Sequence, residues 1–316
     1  MRAGAVALLA LVLGGCGGGD ADAPFEDRGP TRLTVQETAG VPAAFVAFGV
    51  EKGFFARQKL RLDLQQTQGG AATIPALVSG EVDVGGSNVV SLLLAGAKDL
   101  PIRVIAGGTT AGPKDFGALL VAKGSDIRSP RDLWGRTIGV NTLNNVAEVA
   151  VKAALEKRGV DPGSVKLSEV PFPDMQRALA EGTVDATFSI EPFVTRSVRA
   201  GDAVLAHPYV ETERAMQIGA YAVTDEFAQT EPEAVQGFRA AIAETAGYVA
   251  AHEDEFRSFL SKDAGVAPDL ARSIALPRWT GRVDADSLAN TARLMRRYGL
   301  VDAPVDAGAL LEGGGA

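Results

Sequence analysis

The sequence predicts an α/β protein of two lobes, each a mostly parallel sheet flanked by helices, joined by a two-strand hinge. Three observations carry this expectation. From Thr31 to Phe193, short runs with β-branched residues alternate with stretches of helical periodicity, the pattern of a sheet with helices on its faces. The segment GEVDVGGS at 80–87 recurs 102 positions later as GTVDATFS at 182–189, sharing G-x-V-D-x-x-x-S. The 316 residues are also enough for two lobes, each with its own core. Chance likeness between two ordinary βαβ units is the alternative reading of the echo, because Gly after a helix and Val in a strand are common.

Taken in order, TRLTVQ at 31–36 reads as a strand and 41–52 as a helix closed by Gly53. LRLDLQQT is a strand, 71–79 a helix closed by Gly80, and VDVGG a buried strand. A helix at 87–97 follows, which the side chain of Ser87 or Asn88 can cap, and then the strand PIRVIAGG. Each helix follows a strand, so parallel pairing with right-handed crossovers is the economical topology. In the second lobe TIGV is a strand and Thr142 to Asn145 a polar turn. The helix beyond carries Val146, Val149, Ala150, Ala153 and Ala154 at helical spacing. The strand VKLSEV, a helix, a strand ending at Ile190 and a helix start at Phe193 complete the lobe.

Two apolar segments, 116–121 and 218–223, flank this second lobe and are the natural crossings between lobes. Beyond Thr224 the chain reads as helical at 231–252, 253–261, 268–274 and 284–298, punctuated by Pro268, Pro277 and Pro304. These readings place lobe one at 31–115 and 222–316, and lobe two with its crossings at 116–221.

The first residues read as an export leader. One basic residue precedes a short apolar run, residues 5–13, too short to span a bilayer as a mature helix. The run ends at Leu13-Gly14-Gly15-Cys16, which resembles the lipobox of bacterial lipoproteins. That implies a signal peptide at 1–15, lipidation of Cys16 and membrane anchoring through the acyl chains. Ordinary secretion using Ala21-Asp22-Ala23 is the rival, but the apolar run stops at the Gly-Gly-Cys. Residues 16–30 are small, polar and broken by proline, a tether.

A net charge of -8 gives the surface no attraction for nucleic acid or anionic lipid. Cys16 is the sole cysteine, so the body of the protein has neither a disulfide nor a thiol nucleophile. His207 and His252 stand 45 positions apart with no metal-binding spacing. No nucleophile elbow, phosphate loop or metal-spaced cluster occurs, so no cofactor or metal is expected.

Three segments, GVNTLNNVAEV, PFPDMQRALAEGTVDATFSIEPF and LMRRYGLVDAPVDAGALL, carry a resemblance to the type II periplasmic substrate-binding proteins of ABC importers. The branch is the NMT1-like one that takes sulfonates, taurine, nitrate and pyrimidine precursors of thiamine. The resemblance implies a monomeric, extracytoplasmic protein that captures a small organic solute between two lobes and delivers it to a permease with its ATPase. A ligand sensor is the alternative, and a periplasmic small-molecule enzyme a more distant one. One eukaryotic relative in the pyrimidine branch is an enzyme with a cysteine-rich patch and central histidines, which this chain lacks.

Open α/β sheets bind ligands beyond the carboxyl ends of their strands, at helix N-termini. That places Thr38, Ala39 and Gly40 opposite Thr142, Leu143, Asn144 and Asn145, with Ser87 and Asn88 beside them; each has helix capping as its alternative role. Phe116, Phe193 and Tyr221 are candidates to stack on a planar ligand, or else core aromatics. Glu191, before Pro192 at a helix start, either stabilises that N-terminus or faces the ligand, where the resemblance implies a Glu-Pro pair. No Arg or Lys lies in these turns, so an anionic ligand would depend on helix N-termini, or on Arg196 or Arg214.

Overall fold

The computed structural model describes residues 29–311. The leader, Cys16 and nearly all of the tether lie outside them.

The strands are β1 (Thr31–Thr38), β2 (Leu60–Thr67), β3 (Val84–Asn88), β4 (Ile102–Gly107), β5 (Thr109–Thr110), β6 (Gly117–Val121), β7 (Thr137–Val140), β8 (Lys166–Glu169), β9 (Ala186–Ile190), β10 (Ala203–Ala206), β11 (Gly219–Thr224) and β12 (Arg278–Trp279). Ten of them form one sheet ordered β2-β1-β3-β11-β4 and another whose order, read from its other edge, is β8-β7-β9-β6-β10, while β5 and β12 pair antiparallel as a two-stranded sheet. In the first, β1 runs parallel to β2 and β3 while β11 opposes β3 and β4. In the second, β7 runs parallel to β8 and β9 while β6 opposes β9 and β10. Each larger sheet therefore has one reversed strand, and it is the first strand after a crossing. A chain leaving one lobe at its cleft end enters the other at the cleft end too, so that strand must run away from the cleft.

The echo in the sequence has a structural meaning. Asp83 Oδ2 accepts from the Thr34 N–H at 2.7 Å, and the Asp83 N–H donates back to the Thr34 carbonyl. In the second lobe Asp185 Oδ2 accepts from the Thr137 N–H at 2.8 Å and returns the same backbone bond. The G-x-V-D motif thus pins β1 in one lobe and β7 in the other by one device, and the chance reading of the repeat is set aside.

The crossings run side by side. Thr110 bridges Gln217, the Ala111 N–H donates to the Met216 carbonyl and the Ile218 N–H to the Thr109 carbonyl. Of the segments 116–121 and 218–223, read from sequence as the crossings themselves, residues 117–121 and 219–223 are strands of the second and the first sheet. The register shift has a simple cause: an apolar run long enough to cross is also long enough to enter a sheet. The helix Ala285–Arg297 braces this region, since Ser287 Oγ accepts from the Gln217 N–H at 2.9 Å.

One core packs Phe45 and Phe48 of the helix Val41–Glu51 against Phe55, Phe238 and Phe256, all nearly inaccessible. A second runs from Leu77, Leu92 and Leu93 through Met295 to Val149 and Leu119. Each such side chain contributes about 1.5–3 kcal/mol on burial.

Candidate functional site

A cleft with about 620 Å³ of atom-free space, part of it open to solvent, lies where the cleft-facing ends of the two sheets meet. Its first-lobe wall holds Glu37, Thr38, Gly69, Gly70, Ser87 and Asn88, and its second-lobe wall Asn141, Asn145, Phe116, Phe172 and Tyr209. Tyr221 and Trp279 close the side near the crossings.

Glu37 is the charged side chain of this lining. Strand alternation puts it on the face of β1 that carries buried Leu33 and Val35. The Thr38 N–H donates to its Oε1 at 2.7 Å, and the hydroxyl of Tyr221 donates to the carboxylate. Gly86 makes the crossing possible: a Cβ there would stand 2.2 Å from Glu37 Oε2. Burial outweighs these hydrogen bonds and raises the Glu37 carboxyl to a pKa of about 7. Burial, with the adjacent carboxylate, likewise pushes the Tyr221 hydroxyl well above its ordinary range.

The aromatic walls are held from behind. Phe116 stacks on Tyr209 with centroids 5.6 Å apart. Asp115 fixes both flanks by accepting from the N–H groups of Gly117 and Val210, each at 3.0 Å. Trp279 lies flat against Phe45, 4.9 Å between centroids and 5° between planes.

Several polar groups at the rim bind one another. Asn145 caps the helix Val146–Lys157 by accepting from the Glu148 N–H, and its amide donates to Asn141 Oδ1 and Thr142 Oγ1. The Leu143 N–H donates to Glu169 at 2.7 Å and the Asn144 N–H to Glu148 at 2.8 Å. Asn88 reaches across the cleft, its Oδ1 accepting from Ser91 N–H at 3.0 Å and Val146 N–H at 3.2 Å. Ser87 donates to the Gly70 carbonyl at 2.6 Å. Gly69 faces Asn141 so closely that a Cβ would lie 2.8 Å from its Nδ2.

Of the residues proposed from sequence, Thr38, Ser87, Asn88, Phe116, Asn145 and Tyr221 line the cleft. Ala39, Gly40, Thr142, Leu143, Asn144, Glu191 and Phe193 do not. Gly40 instead abuts the Glu191 carbonyl. Glu191 is buried, accepting from Thr195 N–H (3.0 Å), Thr195 Oγ1 (2.7 Å) and the Ala275 N–H (3.1 Å). Its pKa is raised, chiefly by that burial. Phe193 stacks behind Phe172, with the Arg196 guanidinium over its ring. Neither Arg196 nor Arg214, nor any other Arg or Lys, belongs to the cleft lining among the described residues.

Sequence reading missed Glu37, Asn141, Phe172, Tyr209 and Trp279. For Glu37 a signal existed, a carboxylate continuing the apolar face of a strand. Trp279 comes from the far C-terminal region and has no local signal. Among the described residues no group of His, Cys, Asp and Glu is placed to hold a metal, and no helix is long and apolar enough to cross a membrane.

Two matching α/β lobes, paired crossings on one side and an aromatic and amide-lined cleft between the sheet ends define the periplasmic-binding-protein class of fold. Solved structures place the chain there too. The alkanesulfonate-binding protein SsuA from Xanthomonas axonopodis pv. citri superimposes with a TM-score of 0.77 over 90% of this chain and 98% of that one, at 17% identity. The chain belongs to the NMT1/THI5-like family, whose profile matches residues 43–256.

Among curated relatives, the taurine-binding periplasmic protein of Escherichia coli (strain K12) is 28% identical over 218 residues, covering 69% of this chain and 65% of that one. The formylaminopyrimidine-binding protein of Halalkalibacterium halodurans is 29% identical over 142 residues, covering 45% of this chain and 42% of that one. The chain thus spans under two-thirds of the length of either. A desulfurization enzyme, DSZB, shares the fold with a TM-score of 0.63 at 19% identity, over 89% of this chain and 96% of that one.

Proposed function

We infer that this protein captures a small organic solute between its lobes and hands it to an ABC permease with its ATPase. The observation that carries the reading is the cleft itself: aromatic faces and side-chain amides from both lobes converge on one space beside the crossings. Family membership and relatives named for taurine and formylaminopyrimidine support a pyrimidine-like or sulfonate-like solute. The leader ending in Leu13-Gly14-Gly15-Cys16 supports an extracytoplasmic protein anchored through a lipid on Cys16.

The fold neighbour DSZB favours a second reading, catalysis on a small molecule. Against it, Glu37 in the cleft is partnered by Tyr221 and Thr38, with no histidine or second carboxylate in the lining.

A thermal-shift screen across sulfonates, nitrate, pyrimidines and aromatic acids tests the binding reading, because a ligand that binds only the folded state raises Tm. The expected result is a concentration-dependent rise with one chemical class, and recovery of that compound unchanged. No rise with any class removes the solute-binding reading; recovery of a converted product replaces it with catalysis.

A further inference from the structure

We propose that Glu37 makes the cleft selective for solutes presenting a nitrogen donor, an amine or amidine on a planar ring, and against solutes whose polar groups are anionic alone. The inference rests on the solute-binding reading above and narrows its ligand class.

Charge disfavours an anion in this cleft. The described lining contains one carboxylate and no Lys or Arg to neutralise an anion. A sulfonate or nitrate placed there would lose its hydration, face Glu37 and gain no countercharge, the costly case of an unpaired buried ion. A cationic or N–H-bearing group meets the Glu37 carboxylate of the lining as an acceptor.

Helix N-termini are the usual refuge of an anion without a cation. At two of those near the cleft the N–H groups are already engaged by the protein, whereas the N-terminus of Val41–Glu51, whose Pro42 lines the first-lobe wall, carries no side-chain cap. At the second-lobe turn, Leu143 and Asn144 donate to Glu169 and Glu148, Val146 donates across the cleft to Asn88, and the Glu148 N–H is capped by Asn145. At the helix Phe193–Ala200, the Thr195 N–H is taken by Glu191. At those two ends an arriving anion would have to displace the carboxylates and amides that hold these donors, whereas a donor-bearing solute displaces none of them.

Shape favours a ring. Phe116, Phe172, Tyr209, Tyr221 and Trp279 give the cleft flat aromatic surfaces, which suit a ring better than a compact tetrahedral anion.

The test uses the mature protein and its Glu37→Gln variant, titrated calorimetrically at pH 8 with benzamidine and 4-aminopyrimidine as donor probes, and toluenesulfonate, ethanesulfonate and nitrate as anionic probes. Benzamidine and toluenesulfonate share a benzene ring and differ in charge. We expect a donor probe to bind the wild type and to lose about 10- to 100-fold in affinity in Glu37→Gln, as for a charge-assisted hydrogen bond. A melting temperature in the variant no lower than wild type shows that the loss is not unfolding. Neither donor probe binding, an anionic probe binding as tightly as the donors, or a variant affinity within about twofold of wild type each overturns the inference. Binding by an anionic probe alone does so while leaving solute capture standing. Failure of every class in the broader thermal-shift screen removes solute capture itself.

Discussion

The Glu37 carboxylate reaches across Gly86 to the hydroxyl of Tyr221, from β1 over β3 to β11. This relationship joins the first strand of the chain to the strand that returns from the second lobe. The acceptor in the cleft is therefore fixed by the same sheet that carries the crossing, and its position changes little unless the sheet does.

Burial of Glu37 has a consequence for stability against pH. Its folded pKa of about 7 lies above its ordinary 4.5, so between those values the folded chain holds a proton that the unfolded chain has lost. Its contribution is fully present below pH 4.5 and is lost as pH rises through 7. Asp115, raised by burial to about 6 from 3.8, adds a decline of the same sign that the Glu37→Gln variant retains. We expect Glu37→Gln to melt higher than wild type at pH 8, with the gap shrinking towards pH 5. Parallel Tm profiles for the two proteins would show that Glu37 is not buried in this way.

Gly86 makes room for the carboxylate. An added methyl 2.2 Å from Glu37 Oε2 and 2.5 Å from its Cδ forces that side chain off Tyr221. Gly86→Ala is expected to cost about 1–3 kcal/mol, the range for overpacking a filled site, and to weaken the donor probes as Glu37→Gln does. Urea unfolding measures the first and calorimetry the second. A variant as stable as wild type with unchanged affinity would mean the carboxylate lies elsewhere.

The lobes, the alternation and the repeat are legible in sequence because they rest on local signals: periodicity, Gly at helix ends and the paired V-D. Strand exits are legible for the same reason, which is why Thr38, Ser87, Asn88 and Asn145 reach the cleft. Side-chain direction within a turn is not local. Asn144 takes a left-handed backbone (φ 52°), and its N–H is held by Glu148, in the first turn of the next helix. Glu191 lies at the right strand end, yet besides nearby Thr195 it is held by the Ala275 N–H, 84 residues away in the chain. The same limit hides Trp279, whose place against Phe45 depends on how the helical C-terminal region returns to lobe one.

Glu191 is expected to behave as a structural residue. Removing its carboxylate leaves the Thr195 and Ala275 N–H groups without their acceptor. Glu191→Ala should lose about 2–3 kcal/mol in urea unfolding, with affinity for any solute that binds wild type changing less than about threefold. A tenfold or larger loss of affinity in a variant still folded would put Glu191 back among the ligand contacts.

Asn88 ties the two lobes together. Its Oδ1 holds the Ser91 N–H of its own helix and the Val146 N–H of the facing one, and its Nδ2 donates to Ser91 Oγ at 2.9 Å. Asn88→Ala removes a helix cap worth about 1 kcal/mol and leaves the Val146 N–H facing the cleft without its acceptor. Asn88→Asp keeps the acceptor oxygen for both. Exchange of the Val146 amide separates these cases, because the cross-lobe bond protects it only while the lobes are closed. We expect faster exchange in Asn88→Ala than in wild type and near-wild-type protection in Asn88→Asp, with the difference widest when solute is bound. Equal exchange in all three proteins would mean that Asn88 caps its own helix and takes no part in closure.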